Sequence, residues 1–303
     1  MNLSVKVGSI IFKNPLILAS GILATTGSII KRISSISSVG GIVTKSLTYY
    51  PRKGYNTPII VGVKTGLINA VGLTNPGYKY FLEKELPIMR GLNIPIIISL
   101  AGNKVKELIE MCSRFEESGV DGIELNLSCP HAEKYGIEVL MDYVLTYRII
   151  SEVKSVLKIP LIVKIGFTDN LVRIAKTIEK AGADAISAIN TIKAMAIDIY
   201  TRRPVLSNKF GGLSGPAIHP IAVRIVYELY EILNIPIIGV GGVEDWRDAI
   251  EFFLAGACAV QIGSSISIYG LKIFEDILKG IKEYLSEYSY RDIKDIVGLA
   301  HEE

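Results

Sequence analysis

The run Asn93-Ile-Pro-Ile96 recurs along the chain as Lys158-Ile-Pro-Leu161 and as Asn234-Ile-Pro-Ile237, and an apolar segment follows each copy. Proline is tolerated at the first residue of a β-strand, so each copy predicts the start of a buried strand. A second repeated run alternates with the first, and its copies are Gly119-Val-Asp-Gly-Ile123, Gly182-Ala-Asp-Ala-Ile186 and Gly256-Ala-Cys-Ala-Val260. Each of these follows an amphipathic segment that glycine closes, and each opens another strand. The alternation predicts parallel strands that are joined by helices.

Apolar segments of strand length occur eight times, and helical patterns separate most of them. The predicted strands are Pro15–Ser20, Gly41–Ser46, Ile94–Leu100, Gly122–Ser128, Leu161–Gly166, Ala185–Thr191, Ile237–Gly242 and Ala259–Ser264. The predicted helices are Ser28–Ser38, Lys104–Ser118, Glu138–Leu157, Leu171–Ala181, His219–Leu233, Asp245–Ala255 and Ile273–Tyr288. This count predicts an α/β fold, a closed (β/α)₈ TIM barrel over residues 1–303 as one domain, with a doubly wound open sheet as the alternative.

Three segments extend beyond a minimal barrel. Leu3–Asn14 alternates as a small β-hairpin with its turn at Gly8-Ser9, and it flanks or plugs the barrel. The connections Leu47–Leu73 and Ile192–Pro216 follow the second and sixth strands, and both are rich in Gly, Pro, Asn and Thr. Because they follow the carboxyl ends of strands, they are expected to form rim loops around a site. Within the second, Phe210–Pro216 is expected to be a mobile or cofactor-covering loop.

Composition excludes several classes of protein. The chain has 303 residues, 49% hydrophobic and 21% charged, with a formal net charge of +3 and scattered lysines. No basic stripe for a nucleic acid is present, and no apolar run reaches the roughly 18 residues of a membrane span. The three cysteines are Cys112, Cys129 and Cys258, which form no C-x-x-C pair. We therefore expect a reduced, cytoplasmic protein without its own iron–sulfur cluster.

Reactive residues end several of the predicted strands, and parallel strands bring such ends to one mouth. These residues are Ser20, Lys45, Ser99, Asn126, Cys129, Lys164, Asn190, Gly241-Gly242 and Gly263-Ser264. Two lysines inside otherwise apolar strand ends indicate an anionic ligand, because an unpaired buried ammonium is costly. Glycines after both the seventh and eighth strands favour a phosphate site over turns alone.

Cys129 has two interpretations. A buried thiol is usually inert, but this one stands beside Pro130 at a strand tip near lysines. An ordinary thiol has a pKa of about 8.5, and a cationic site lowers it enough to make a base near neutral pH. Cys112 and Cys258 are predicted to be structural. With only His131 near the mouth, a histidine-based zinc site lacks ligands, and no metal is expected.

Several motifs together resemble a known family. They are Asn14-Pro-Leu-Ile-Leu-Ala-Ser-Gly21, Thr44-Lys-Ser46, Asn69-Ala-Val-Gly-Leu-Thr-Asn-Pro-Gly77, Glu124-Leu-Asn-Leu-Ser-Cys-Pro130, Lys164, Asn190-Thr191, Gly211-Gly-Leu-Ser-Gly-Pro216, Gly239-Val-Gly-Gly242 and Gln261-Ile-Gly-Ser264. Nearly end to end, the chain resembles class 1 dihydroorotate dehydrogenases, and within them the B-type catalytic subunit. That family is an FMN-containing (β/α)₈ barrel that oxidises dihydroorotate to orotate in pyrimidine biosynthesis.

The resemblance implies a role for each matching residue. Cys129 is the implied base, which takes a proton from substrate C5 while C6 transfers a hydride to flavin N5. The implied substrate-binding residues are Lys45, Asn69, Ala70, Val71, Gly72, Leu73, Asn126, Asn190 and Thr191. The implied FMN-binding residues are Ser20, Lys45, Ser46, Ser99, Asn126, Lys164, Ile189, Gly215, Gly241, Gly242, Gly263 and Ser264. Two positions depart from the family, since His131 and Ser99 stand where asparagine is usual.

The resemblance also implies partners. A homodimer of barrels with a separate FAD and iron–sulfur subunit, which passes electrons to NAD, is the expected assembly. Fumarate, quinone or another acceptor remains the alternative. Alternative hypotheses are another FMN barrel that acts on a dihydropyrimidine or on tRNA uridine, and a non-catalytic nucleotide-binding barrel. The tRNA reading requires a basic extension, which the sequence lacks.

Overall fold

The computed structural model describes residues 1–36, 38–128 and 137–302. The predictions made for Cys129, Pro130 and His131 therefore lie outside the described residues.

Eight parallel strands close into a barrel in the order of the chain. They are β1 (Leu16–Leu18), β2 (Gly41–Val43), β3 (Ile96–Leu100), β4 (Gly122–Asn126), β5 (Leu161–Ile165), β6 (Ala185–Ala188), β7 (Ile237–Val240) and β8 (Ala257–Ile262). Strand β8 pairs with β1, which closes the sheet and confirms the barrel over the open-sheet alternative. Nearly every strand residue is buried, since side chains face either the barrel interior or the helices, which explains the continuous apolar runs.

Helical segments surround the strands. They are α1 (Gly27–Ser34), α2 (residues 78–89, with α-, π- and 3₁₀-helical turns), α3 (Val105–Glu117), α4 (Tyr143–Val156), α5 (Leu171–Lys180), α6 (His219–Tyr230), α7 (Trp246–Leu254) and α8 (Ile273–Glu287). The predicted helix Glu138–Leu157 is divided, because Ile137–Met141 ends before Asp142. The Asp142 side chain accepts the backbone N–H of Leu145 at 3.0 Å and starts a new helix. Within the described ranges, no helix has the length and apolar character needed to cross a membrane.

The predicted amino-terminal hairpin is confirmed and lies across the amino-terminal end of the barrel. Val5–Val7 and Ile10–Phe12 pair in antiparallel fashion, and Phe12 is fully buried. A Cβ added at Gly122, the first residue of β4, would lie 2.7 Å from Ile10 Cδ1. The hairpin therefore packs directly against the starts of the strands and closes that end.

The second repeated run has a structural explanation. Asp121 and Asp184 stand at the same place in two of its copies, just before β4 and β6. The Asp121 carboxylate accepts the N–H of Ile96 at 2.7 Å, and the Asp184 carboxylate accepts the N–H of Leu161 at 2.7 Å. Asp184 also accepts from the Lys154 ammonium at 2.5 Å. Each aspartate thus satisfies the first backbone donor of the preceding strand.

The two long connections form a shared sheet on the rim. Its four antiparallel strands, in spatial order, are Ile192–Ala194, Gly211–Ser214, Gly66–Asn69 and Ile60–Val63. Phe210–Pro216 was expected to be a mobile or cofactor-covering loop, but Gly211–Ser214 is a strand that is paired on both sides. Glycine is needed there because a Cβ on Gly211 would lie 2.6 Å from Ile68 and 2.7 Å from Leu206. We call this four-stranded unit the rim sheet.

Candidate active site

A cavity of about 420 Å³ lies at the carboxyl-terminal end of the barrel, beneath the rim sheet. This volume is within the range of small-molecule sites. The predicted site residues that line it are Ser20, Lys45, Ser46, Asn69, Val71, Gly72, Leu73, Asn126, Lys164, Ile189, Asn190, Thr191, Gly241, Gly242, Gly263 and Ser264. Residues that are far apart in the chain therefore meet around one space, as the strand ends predicted.

Among the predicted residues that the structure describes, three do not line the cavity. Ala70 is fully buried in a small apolar cluster with Ile68, because it follows Asn69 and points to the other side of the chain. Ser99 lies fully buried one layer deeper in the barrel. Gly215 lies behind Gly242, where its carbonyl oxygen would be 2.7 Å from a Cβ on that glycine. These residues support the wall instead of forming it.

A polar network orients the amides of the site. The Ser46 and Ser99 hydroxyls are 2.8 Å apart, and Asn126 Nδ2 donates to Ser46 Oγ at 3.0 Å. Asn190 Nδ2 donates to Ser128 Oγ at 3.0 Å, and Ser128 Oγ donates to Asn126 Oδ1 at 3.3 Å. Since each amide has defined partners, the remaining donors and acceptors point in fixed directions. Ser128, to which the sequence assigned no role, connects the two asparagines.

The segment Asn69–Leu73 is held from below by Asn75. The Asn75 amide donates to the carbonyl of Leu73 at 2.7 Å and to the Thr48 hydroxyl at 2.9 Å, and it is buried. Leu73 adopts a left-handed conformation with φ of 56°. Asn69 itself donates to the carbonyl of Gly212 in the rim sheet at 3.3 Å. The second asparagine of this motif therefore holds the turn, while the first faces the cavity.

Lys164 is almost completely buried, and its ammonium is part of a hydrogen-bonded network of buried side chains. Its Nζ donates to Gln261 Oε1 at 2.9 Å, and Gln261 Nε2 donates to Glu124 Oε2 at 2.7 Å. Sequence reasoning missed Gln261 and Glu124. Signals existed for both, because Gln261 is the only glutamine in the chain and Glu124 is a charge within an apolar strand.

The wall after β7 and β8 has features that suit a phosphate. Gly241 and Gly242 have φ of 141° and 67°, which favour glycine. A Cβ on Gly263 would meet no atom nearer than 3.6 Å, so the protein leaves open space there. The Ser265 hydroxyl is buried in the cavity wall and has no hydrogen-bond partner among the described residues. An orphan donor beside a glycine cradle fits an anionic oxygen, and the sequence had not singled out Ser265.

His219 contacts the glycine turn from behind. Its Nδ1 lies 2.9 Å from the Gly241 carbonyl oxygen, and its Nε2 lies 2.8 Å from a Glu251 carboxylate oxygen. Together with Asp248, these residues place three possible metal-ligand atoms within 4.8 Å of one another, a grouping the sequence had not predicted. Both ring nitrogens already contact protein oxygens, so the ring supports the Gly241 turn.

The two described cysteines lie away from the cavity. Burial raises the pKa of the Cys258 thiol to about 12, and burial also raises the pKa of Cys112. Both are therefore protonated near neutral pH, which fits the structural role predicted for them.

Comparison with known proteins gives consistent matches along the chain. A family model described as dihydroorotate dehydrogenase matches residues 2–285. "Dihydroorotate dehydrogenase B (NAD(+)), catalytic subunit" from Pyrococcus furiosus is 48% identical over 301 residues, 99% of each chain. The protein of the same name from Methanocella arvoryzae is 44% identical over 302 residues, 99% of this chain and 98% of its own. "Putative dihydroorotate dehydrogenase A (fumarate)" from Aeropyrum pernix is 43% identical over 302 residues, 99% of this chain and 97% of its own.

Proposed function

The chain belongs to the dihydroorotate dehydrogenase family of oxidoreductases, and we propose that it oxidises dihydroorotate to orotate with FMN as its cofactor. The proposal rests on one observation, a cavity in which two lysines, three asparagines and the glycine turns meet. A planar dihydropyrimidine needs amide partners on both sides, its carboxylate needs a cation, and a flavin phosphate needs backbone donors. The lining residues offer all three.

FMN fits the residues after β7 and β8. Gly241, Gly242, Gly263 and Ser264 would hold its phosphate, with Ser265 as a further donor. The other residues proposed to surround FMN are Ser20, Lys45, Ser46, Asn126, Lys164 and Ile189, with Ser99 and Gly215 supporting them from behind. When bound, FMN supplies N5 as the acceptor of the substrate hydride. Lys164 holds its ammonium ready to stabilise the negative charge of a reduced flavin.

The substrate would contact the opposite part of the wall. Lys45 binds its carboxylate, while Asn69, Asn126 and Asn190 match the ring amides, with Thr191 beside them. The Thr191 N–H donates to Asn190 Oδ1 at 2.8 Å, which further restricts that amide. Because these side chains are oriented before the substrate arrives, little reorganisation accompanies binding.

Cys129 is proposed as the base. Its thiolate removes the proton from substrate C5, the C6–H electron pair leaves as a hydride, and the C5–C6 double bond forms. Support comes from its position, since Cys129 directly follows Ser128, whose hydroxyl accepts from Asn190. Lys45 and Lys164 both line the cavity, and cations near a thiol favour its thiolate form.

We further propose a cytoplasmic homodimer of barrels that works with a separate FAD and iron–sulfur subunit, which passes electrons to NAD. The words "catalytic subunit" in the names of the Pyrococcus and Methanocella relatives support such a partner. The Aeropyrum relative, whose name carries fumarate, keeps fumarate as the alternative acceptor.

The decisive test is anaerobic reduction of the FMN-loaded protein. Adding dihydroorotate should bleach the visible flavin absorbance in one turnover and form orotate. Dihydrouracil, which lacks the carboxylate that Lys45 binds, should react far more slowly. A protein that does not bind FMN, or whose flavin dihydroorotate leaves oxidised, contradicts the proposal. Faster bleaching by dihydrouracil would favour a different dihydropyrimidine substrate.

A further inference from the structure

A hydrogen-bonded network of buried side chains crosses the barrel interior below the cavity. Glu124, Ser187 and Gln261 are at most 1% exposed, and Lys164 is 5% exposed. Besides Gln261, Ser187 Oγ also donates to Glu124 Oε2, at 3.0 Å. The other oxygen, Glu124 Oε1, has no hydrogen-bond partner among the described residues.

The chemistry of these groups determines the orientation of the central amide. An ionised carboxylate only accepts hydrogen bonds and an ammonium only donates them. Gln261 must therefore turn its Nε2 toward Glu124 and its Oε1 toward Lys164, and the two contacts have hydrogen-bond lengths of 2.7 Å and 2.9 Å. If the amide were reversed, its oxygen would face the Glu124 carboxylate, which is also an acceptor. Its NH₂ group would face the Lys164 ammonium, which is also a donor.

The same network balances the positive charge of Lys164 with the negative charge of Glu124. In the described barrel interior and cavity wall, the ionisable side chains are Glu124 on β4, Lys164 on β5 and Lys45 after β2. A single buried ammonium is costly, whereas one that is joined to a carboxylate through an amide is compensated. A buried carboxylate with one unsatisfied oxygen itself lowers stability, which argues against a role in packing alone.

We propose that Glu124 is a positioning residue that, through Gln261, orients the Lys164 ammonium toward the cavity and stabilises its charge. The inference rests on the proposed function for the identity of the ligand that Lys164 meets. Glu124 is fully buried and does not line the cavity, and it acts by restricting one rotatable amide. The geometry of the lysine is therefore established before any ligand binds.

The test uses ligand-free protein and so does not depend on FMN. Cyanate reacts with neutral amines, and its reaction at each lysine is followed at fixed pH by peptide mass spectrometry. Glu124→Gln removes the charge and permits the Gln261 amide to reverse. Lys164 should then react about 10-fold faster, while Lys45 in the same cavity changes less than about 2-fold. Ten-fold corresponds to about 1.4 kcal/mol, in line with a hydrogen bond to a charged group.

Matched variants separate positioning from packing. Glu110→Gln removes a carboxylate that instead bonds Tyr49 and Tyr78 on the outer surface, and it should leave Lys164 unchanged. The double variant Glu124→Gln, Gln261→Glu exchanges acid and amide, and it should restore slow reaction at Lys164. If Glu124→Gln does not fold, Glu124→Met provides the same comparison. Altered thermal stability with unchanged Lys164 reactivity would overturn the inference, whereas failure to bind FMN would overturn only the proposed function.

Discussion

The two ends of the barrel use polar side chains in opposite ways. At the amino-terminal end, carboxylates bond to backbone: Glu116 accepts the N–H groups of Lys158 and Ile159 at 2.6 and 2.9 Å, and Asp184 accepts that of Leu161. At the carboxyl-terminal end, Asn126, Asn190 and Ser128 bond mainly to one another. Polar groups at the first end complete the fold, whereas those at the second keep donors and acceptors available for a ligand.

This difference shows why the repeated runs lie where they do. A strand that begins inside the barrel needs an acceptor for its first N–H groups, and acidic residues before or beside it provide one. The strand ends face a cavity, where a ligand completes the hydrogen bonding. Substitutions at one end should therefore change stability, and substitutions at the other should change chemistry.

The largest expected effect belongs to the amino-terminal end. Phe12→Ala removes a fully buried ring of the hairpin and should lower the free energy of unfolding by about 3 to 5 kcal/mol. Ile11→Ala, on the same strand but 65% exposed, should change it by less than about 0.5 kcal/mol. Urea denaturation measures both. Loss of FMN binding by folded Phe12→Ala without loss of stability would contradict the separation of the two ends.

At the carboxyl-terminal end, Cys129→Ala should slow single-turnover flavin reduction by dihydroorotate about 10²-fold or more, the scale of a general base. FMN should remain bound, because the thiol does not hold the cofactor. The matched control is Cys258→Ala at the opposite end, which should reduce its flavin at the native rate. A native rate in Cys129→Ala would remove the base from the proposed mechanism.

Gly242→Ala and Gly119→Ala place a Cβ in the same left-handed backbone conformation at the two ends of the barrel. A Cβ there would lie 2.7 Å from the Gly215 carbonyl oxygen and 2.8 Å from His219 Cβ. The turn must shift, and FMN affinity should fall about 10-fold, or about 1.4 kcal/mol. Gly119→Ala has a similar φ of 79° but no atom within 4 Å of its Cβ, and it should lose some stability with FMN affinity unchanged. Fluorescence titration with FMN distinguishes the two, and equal losses of affinity would count against the phosphate cradle.

The smallest expected effect is on the pH dependence of stability, which should have opposite signs for aspartates at the two ends of the barrel. Burial raises the pKa of Asp121, so the folded protein binds this proton more tightly than the unfolded chain does. Its contribution to stability therefore falls as pH rises above the ordinary value of about 3.9. In the rim connection, N–H groups of Thr201 and Tyr200 lower the pKa of Asp198, whose contribution is lost as pH falls.

Denaturation of Asp121→Asn and Asp198→Asn across acidic pH tests these signs. As pH rises, the native protein should lose stability relative to Asp121→Asn and gain stability relative to Asp198→Asn. The same sign at both positions would contradict the assigned causes.

The sequence predicted the elements that depend on local pattern. Apolar runs and the Ile-Pro openings located all eight barrel strands, and strand direction then placed Lys45, Lys164 and Asn190 at one mouth. The rim sheet was not predicted, because Gly211–Ser214 has little strand propensity and its partner strand is distant in the chain. The roles of Glu124 and Ser265 were not predicted, because they depend on neighbours that folding brings together.

The pairing of the rim sheet also bears on how the protein is made. Asn69 contacts Gly212, which follows it by 143 residues, and the glycine turns of β7 and β8 emerge later still. A growing chain on the ribosome therefore carries Asn69 long before the strand that it contacts exists. Contacts so distant in sequence form slowly, and the proposed FMN site cannot be complete before the turn after β8 has been synthesised.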